Sequence, residues 1–351
     1  MKIVNLIIII LSAAVLVGYV IFVDGFQNLV GVVRDARLRW LFCGMACMVL
    51  YWLFETFILH IAAKKVYRDQ RFINTLKTCL IGQYFNCITP SATGGQPMQA
   101  YHMHKCGMPF GSASSALLVR FIIYQVVLTL YSVVVLIFKY SSYIVKIEGF
   151  NLLVILGFIV NTVVVLFLLG VAFVPKLVAK FFHFLVKILV KIRIIKDKAE
   201  ADERVDYEIE KFYSSLKELQ CGFLTIIKMV LLTVLQLTVY FLIPFCVCLA
   251  LGVFINPLEA IAASACVLMV SSFVPLPGAA GGAEGSFLVF FGMFLTDGSK
   301  TGTAILLWRL ITFYLTIVIG MFFAQNMGKT KAVCSVQEQI KELEQGADKF
   351  E

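Results

Sequence analysis

The sequence predicts an all-α polytopic membrane protein with about six spanning helices and two re-entrant helical hairpins. Of its 351 residues, 60% are hydrophobic and only 15% are charged, and the mean hydropathy is +0.92. A water-soluble surface needs more charge than this, so soluble, secreted and nucleic-acid-binding proteins are excluded. The apolar runs extend for about twenty residues without alternating polar positions, which favours lipid-embedded helices over a transmembrane barrel.

Six apolar runs are long enough to cross a bilayer, which requires about 20 helical residues. The first follows a single lysine and precedes no small-residue cleavage site, so we expect an uncleaved anchor rather than a signal peptide. The six predicted crossings are residues 3–23, 40–63, 112–138, 152–174, 223–251 and 303–325.

Two further apolar stretches, 75–108 and 257–295, are interrupted by proline and glycine. Irregular backbone at membrane depth is tolerated only where protein or water satisfies its N–H and C=O groups, so we expect each stretch to be a re-entrant hairpin. The basic clusters at 64–71, 176–198 and 329–331 then all fall on one side. Positively charged loops stay cytoplasmic, so both chain termini are predicted to be cytoplasmic.

The chain is expected to form one transmembrane domain at 1–331, with one repeat at about 40–174 and a second at about 223–327. Between the repeats, the lysines in the first half of 175–222 fall on one narrow helical stripe. They predict an amphipathic helix that lies in the membrane interface, where it either binds anionic head groups or only anchors the loop. The acid-rich second half is interpreted as a solvated helical linker. Residues 332–351 are predicted to form a cytoplasmic tail helix.

Both broken stretches contain the pattern Pro-x-x-x-Gly-Gly. The two copies are Pro90-Ser91-Ala92-Thr93-Gly94-Gly95 and Pro277-Gly278-Ala279-Ala280-Gly281-Gly282. About 25 residues after each copy an arginine lies inside an apolar span, Arg120 in LLVRFI and Arg309 in LLWRLI. In the predicted topology the two units enter from opposite faces. They therefore predict an inverted repeat, whose broken helices meet near the midplane and form a binding site.

Arginines inside apolar spans are costly to bury and must face a cavity or a partner. The planar guanidinium group matches phosphate with two hydrogen bonds, so Arg120 and Arg309 are candidates for binding a phospholipid head group. Helix N-termini after the glycine pairs would add N–H donors. Glu55 and Glu284 supply intramembrane carboxylates for a cationic head group. Alternatively, each arginine pairs with a glutamate and only holds the hairpins to their neighbours.

Neutral polar residues of the first hairpin complete the predicted site, either by lining a head-group cavity or by capping the broken helices. No catalytic residue, cofactor or metal site is predicted, because the pattern His102-x-His104-x-Cys106 lacks a fourth ligand at matching spacing. The predicted substrate-binding residues are Arg120, Arg309, Glu284, Glu55, Gly94, Gly95, Gln96, Gly281, Gly282, Pro90, Pro277, Tyr84 and Asn86.

Three segments resemble the membrane domain of the bacterial phosphatidylglycerol lysyltransferases, or multiple peptide resistance factors, and the stand-alone flippase-like proteins related to it. The segments are TPSATGGQP at 89–97, FVPLPGAAGGAEG at 273–285 and LWRL at 307–310. The resemblance extends over roughly residues 2–331. It implies a protein of the bacterial plasma membrane that moves phosphatidylglycerol or its lysyl form to the outer leaflet and so confers resistance to cationic peptides.

Full-length members of that family also carry a large soluble aminoacyl-transfer domain, and we expect no lysyltransferase activity from the residues present here. Three hypotheses follow: a phospholipid translocase, a lipid aminoacyltransferase, and a membrane subunit that does not transport. The expected partners are an anionic phospholipid and the membrane, without nucleic acid. A second copy of the chain or a separate transferase are the candidate protein partners.

Overall fold

The computed structural model describes residues 36–144, 150–191, 198–220, 222–271, 274, 276–295, 298–325 and 327. All regular structure in these ranges is helical. The α-helices are α1 (Leu38–Val66), α2 (Phe72–Ile88), α3 (Gly95–Lys105), α4 (Phe110–Ile144), α5 (Phe150–Phe173), α6 (Pro175–Lys191), α7 (Lys198–Gln220), α8 (Phe223–Phe241), α9 (Ile243–Ala250), α10 (Pro257–Ser271), α11 (Gly282–Phe291), α12 (Gly298–Arg309) and α13 (Leu315–Gln325). Short 3₁₀ turns form at Pro90–Ala92 and Pro277–Ala279, and a π-helical segment forms at Leu310–Tyr314.

Several of these helices are long and apolar enough to cross a membrane. Within the described ranges, four such stretches are Leu38–Val66, Phe110–Val135, Phe223–Ala250 and Lys300–Gln325. A bent pair, Ile159–Phe173 with Val178–Phe184, would make a fifth. These helices confirm a multi-pass membrane protein. The predicted span 3–23 and the predicted tail helix 332–351 lie outside the described residues, so the count of six spans stays a prediction.

The last two predicted spans are less regular than the sequence suggested. Residues 223–251 form two helices, because Pro244 lies in the first turn of α9, where its missing N–H is tolerated. The final span begins at Gly298 and changes to a π-helical segment directly after Arg309. Such wider turns are frequent at functional sites. The second repeat is therefore interrupted beside its arginine as well as within its hairpin.

Both broken stretches are confirmed as pairs of packed helices. In the first hairpin α2 and α3 run antiparallel, since Thr78 Oγ1 lies 2.8 Å from His102 Nδ1 and Gly82 packs against Gln99. In the second hairpin α10 packs against α11. The two 3₁₀ turns at the hairpin tips contact each other. This contact is what an architecture with broken helices meeting inside the bundle requires.

Gly95 is the position where the first hairpin requires the absence of a side chain. A Cβ there would overlap Asn86 Oδ1 and lie 2.7 Å from the Gly82 carbonyl oxygen. We expect Gly95→Ala to separate α3 from α2 and to lower the free energy of unfolding by about 1–3 kcal/mol. Thermal unfolding in detergent measures this change. Gly285→Ala is the matched control, because a Cβ there meets no atom within 4 Å. Equal unfolding temperatures for the two variants would contradict the prediction.

Aromatic packing fixes the end of α12 against the second hairpin. The Phe287 ring stacks on the rings of Phe291 and Trp308, with centroid distances of 4.4 and 4.9 Å. All three side chains are buried. Because Trp308 directly precedes Arg309, this cluster also sets the position of the arginine.

Helix α6 bends away from α5, and the helical stretches on either side of the bend meet at 88°. Its exposed side chains include both lysines and large apolar residues, a combination typical of a helix lying in a membrane interface. They are Lys176, Lys180, Phe181, Phe182, Phe184 and Lys187. The helix thus has the amphipathic character that the sequence predicts for this segment.

The acidic helix α7 differs from a freely solvated linker because one of its faces is docked on α4. Glu208 Oε2 accepts a hydrogen bond from the Gly111 backbone N–H at 2.6 Å, and the Ser215 and Ser112 hydroxyls lie 2.9 Å apart. The physical reason is that the first N–H groups of a helix lack intrahelical partners and attract an acidic side chain. Helix α7 therefore holds the start of the helix that carries Arg120.

His183 joins α6 to α7. Its Nδ1 lies 2.9 Å from Asp202 Oδ1 and its Nε2 lies 2.8 Å from Asp206 Oδ1. Hydrogen bonding to Asp202, supported by Asp206, raises the pKa of His183. Only protonated histidine donates from both nitrogens. The contact is therefore fully present below the ordinary histidine pKa of about 6.5 and is lost as pH rises through the raised value.

We expect spin labels on α6 and α7 to move apart over that pH window, as measured by double electron–electron resonance. His183→Ala should show the longer distances at every pH. A wild-type distance distribution that does not change with pH would contradict this expectation.

Candidate functional site

A cavity of about 440 Å³ lies where the two hairpin tips meet. Both hairpins contribute to its wall, including Ser91 and Ala92 of the first 3₁₀ turn and Gly278 and Ala279 of the second. Further lining residues come from α1, α2, α3, α4, α5, α8, α9, α10, α11, α12 and the π-helical segment. The volume falls within the range of about 300–1,000 Å³ that is usual for small-ligand sites.

Arg120 and Arg309 both line this cavity. Arg120 lies ten residues after the start of α4 and Arg309 lies eleven residues after the start of α12. At 1.5 Å per residue, each is about 15 Å along its helix, which is half of the roughly 30 Å hydrocarbon core. The side chains are 15% and 7% exposed, respectively. The structure therefore brings the two sequence-predicted arginines to one cavity near the middle of the bundle.

Arg120 forms a buried ion pair with Glu55. Its Nη1 donates to Glu55 Oε1 at 2.6 Å, and Gln83 Nε2 donates to Glu55 Oε2 at 2.6 Å. Glu55 is only 1% exposed. Both carboxylate oxygens are occupied, so Glu55 lies behind the arginine and outside the cavity lining.

Arg309 pairs with Glu284, but its guanidinium group is not fully satisfied. Its Nε lies 2.7 Å from Glu284 Oε1, in an alignment too poor for a hydrogen bond, and its Nη1 donates to the Gly278 carbonyl oxygen at 3.1 Å. Glu284 Oε2 accepts from the Gly281 backbone N–H at 2.7 Å and so caps α11. Among the described residues, the buried Arg309 Nη2 has no hydrogen-bond partner. An oxygen atom of a ligand in the cavity would satisfy it.

Two aromatic rings flank the same guanidinium group. Arg309 Cζ lies 5.1 Å from the Trp308 ring centroid and 5.3 Å from that of Phe313. Stacking on aromatic rings is a favourable environment for arginine and restricts its motion. The group is thus held at the cavity wall without its full complement of hydrogen bonds.

The other polar side chains that line the cavity are mostly uncharged amides and hydroxyls. Four side-chain amides line the cavity and have no hydrogen-bond partner in the described part of the chain: Asn86, Gln96, Gln99 and Gln236. Three tyrosines also line it, Tyr51, Tyr124 and Tyr240. Among the residues that the structure describes, the lining includes no aspartate, glutamate or histidine.

The sequence match decides the family. Residues 8–320 match the family model described as the lysylphosphatidylglycerol synthase transmembrane region. The chain belongs to this family. It is also 26% identical over 291 residues to a UPF0104 membrane protein of Archaeoglobus fulgidus, an alignment that covers 81% of this chain and 86% of that protein. The family match includes both hairpins and both arginines.

In this member of the lysylphosphatidylglycerol synthase transmembrane-region family, the predicted site residues fall into three groups. Arg120, Arg309, Gln96 and Asn86 line the cavity, and Glu55 and Glu284 lie directly behind the arginines. Tyr84 packs against Gly320 of α13 and is outside the lining. The residues that form the breaks without lining the cavity are Pro90, Gly94, Gly95, Pro277, Gly281 and Gly282.

Sequence reasoning missed Tyr51, Tyr124, Gln236 and Tyr240. The sequence contains a pattern that could have identified them, because Tyr124 follows Arg120 by four residues and Tyr240 follows Gln236 by four. Residues at this spacing share one helix face. Polar side chains repeated at helical spacing inside an apolar span therefore indicated a shared polar surface.

The histidine motif of the first hairpin serves the packing of α2 and α3. His102 Nδ1 contacts the Thr78 hydroxyl, and His104 Nδ1 lies 3.1 Å from the Met108 carbonyl oxygen. No cluster of three or more potential metal ligands forms among the described residues.

Proposed function

We propose that this protein is a phospholipid translocase that binds the phosphate of an anionic head group between Arg120 and Arg309. The observation that carries the proposal is the buried Arg309 Nη2, which has no partner among the described residues although Arg309 lines a polar cavity. An unsatisfied buried N–H group costs about 1–3 kcal/mol. A phosphate oxygen recovers this energy and is the ligand that a guanidinium group matches best.

In this proposal, the head group occupies the cavity while the acyl chains stay in the surrounding lipid. Each repeat supplies one arginine, and the hairpin tips from both repeats form the wall. The polar lining replaces the water that the head group loses as it leaves the interface. The protein therefore lowers the main barrier to leaflet exchange, which is the burial of a charged group in hydrocarbon.

The same cavity does not favour aminoacyl transfer. The lining residues within the described ranges offer no histidine or carboxylate as a general base. We therefore propose translocation of phosphatidylglycerol, or of its aminoacylated form, as the activity of these residues.

We place the protein in the bacterial plasma membrane, with α6 and both termini on the cytoplasmic side because of their basic flanks.

Leaflet exchange in liposomes tests the proposal. The purified chain is reconstituted with phosphatidylglycerol that carries a fluorescent group, and dithionite is added to destroy the label in the outer leaflet. We expect wild-type protein to make nearly all of the label accessible. Arg120→Met and Arg309→Met should each slow exchange at least about tenfold, because each removes a charge-assisted contact to the phosphate.

Arg39→Met is the matched control, since Arg39 is exposed at the start of α1 and does not line the cavity. If correctly folded wild-type protein leaves the inner-leaflet label protected, the translocase proposal is wrong.

A further inference from the structure

We infer that the head group taken by this cavity is a phosphodiester that carries hydroxyl groups and no ammonium group. The inference rests on the proposed function, because it names the ligand class of the same site. Two features carry it: the charge of the cavity wall, and the chemistry of the polar groups that have no protein partner.

Two guanidinium groups line the cavity, and the described lining residues supply no free carboxylate. Both oxygens of Glu55 accept hydrogen bonds, from Arg120 and Gln83, and Glu55 is excluded from the lining. Glu284 is likewise occupied by Arg309 and by the Gly281 backbone N–H. An ammonium group entering the cavity would meet two guanidinium groups, and no described lining residue offers it an unoccupied carboxylate. Burial of an unpaired cation beside like charges is strongly unfavourable.

The unpaired amides match hydroxyl groups instead. A side-chain amide offers both donors and an acceptor, and a hydroxyl group can likewise donate and accept. Asn86, Gln96 and Gln99 come from the first hairpin, whereas Gln236 comes from α8 of the second repeat. Amides from separate helices therefore offer hydrogen bonds to hydroxyls at different positions of one head group. A site that hydrogen-bonds ligand hydroxyls discriminates strongly against analogues that lack them.

The tyrosines do not form an open cage for a cation. The rings of Tyr51 and Tyr240 lie against each other, with centroids 5.1 Å apart. An ammonium group binds over the face of an aromatic ring. The two rings are tilted at 43° and are in contact, so each ring covers part of the space beside the other. The tyrosine hydroxyl groups can both donate and accept hydrogen bonds, so they add to the amide array.

The test compares leaflet exchange of four labelled lipids by the full chain. Phosphatidylglycerol has hydroxyls and no ammonium, phosphatidic acid lacks the hydroxyl-bearing group, and phosphatidylethanolamine and lysyl-phosphatidylglycerol carry an ammonium. We expect phosphatidylglycerol to exchange at least tenfold faster than either ammonium lipid. Gln236→Leu should reduce its advantage over phosphatidic acid about tenfold, whereas Gln325→Leu, an exposed control at the end of α13, should leave it unchanged.

The results distinguish a failure of the inferred ligand class from a failure of the translocase proposal. Equal exchange of the ammonium lipids overturns the inference and leaves the translocase standing. If a folded wild type exchanges no lipid, the translocase fails, and thermal unfolding with soluble glycerophosphoglycerol or glycerophosphoethanolamine decides the ligand class. Stabilisation by the first compound alone, lost in Gln236→Leu, supports a water-soluble phosphodiester ligand. The absence of stabilisation, or equal stabilisation by both, overturns the inference.

Discussion

Replacing Arg309 by methionine is expected to slow phospholipid exchange strongly. Neutralising its partner Glu284 at the same time should restore stability without restoring exchange. Arg309→Met removes the two guanidinium nitrogens, Nε and Nη2, that are buried without a hydrogen-bond partner in the described cavity wall. It also leaves Glu284 without its counter-charge, which we expect to lower the free energy of unfolding by on the order of 1–3 kcal/mol. The loss of exchange should be at least about tenfold.

The double variant Glu284→Gln/Arg309→Met separates the two roles. It removes both charges, so its unfolding temperature should return towards that of the wild type. Its exchange rate should remain as low as that of Arg309→Met, because no phosphate ligand has been restored. If the double variant recovers wild-type exchange, the ion pair only holds α12 to α11 and the arginine does not bind substrate.

The largest effect on stability is expected for Glu55→Ala. Glu55 is almost completely buried and accepts 2.6 Å hydrogen bonds from Arg120 and Gln83. Its removal leaves Arg120 as a buried charge without compensation, which costs about 3–5 kcal/mol. The free energy of unfolding in mixed detergent micelles measures this change.

Glu210→Ala is the matched control for Glu55→Ala, because Glu210 is exposed on α7. Surface substitutions of this kind usually change stability by less than about 0.5 kcal/mol. A Glu55→Ala variant as stable as Glu210→Ala would show that Arg120 finds another partner or reaches water.

The helix breaks could be predicted and the two arginines singled out from the sequence, because both depend on chemistry that is local in the chain. A proline followed by a glycine pair within an apolar stretch favours a helix break, and the breaks at 90–95 and 277–282 are confirmed. Arg120 and Arg309 stand out because charge is rare in such spans. A buried ionisable residue indicates a functional position without knowledge of its neighbours.

The partners of these arginines could not be predicted, because they depend on how helices pack. Glu55 is 65 residues from Arg120 in the sequence, and their pairing follows from the contact between α1 and α4. The docking of α7 was missed for the same reason, since Glu208 contacts a backbone N–H group 97 residues away. The composition shows that the segment is acidic, but only the fold shows which helix N-terminus its carboxylates bind.

A structure of the full chain in phosphatidylglycerol nanodiscs is the most direct test of a head-group site between the two repeats. We predict density for a phosphate group within about 3 Å of guanidinium nitrogens of both Arg120 and Arg309, with a lipid tail leading out of the cavity. Ordered lipids on the outer surface together with a cavity empty of lipid would contradict the proposed site.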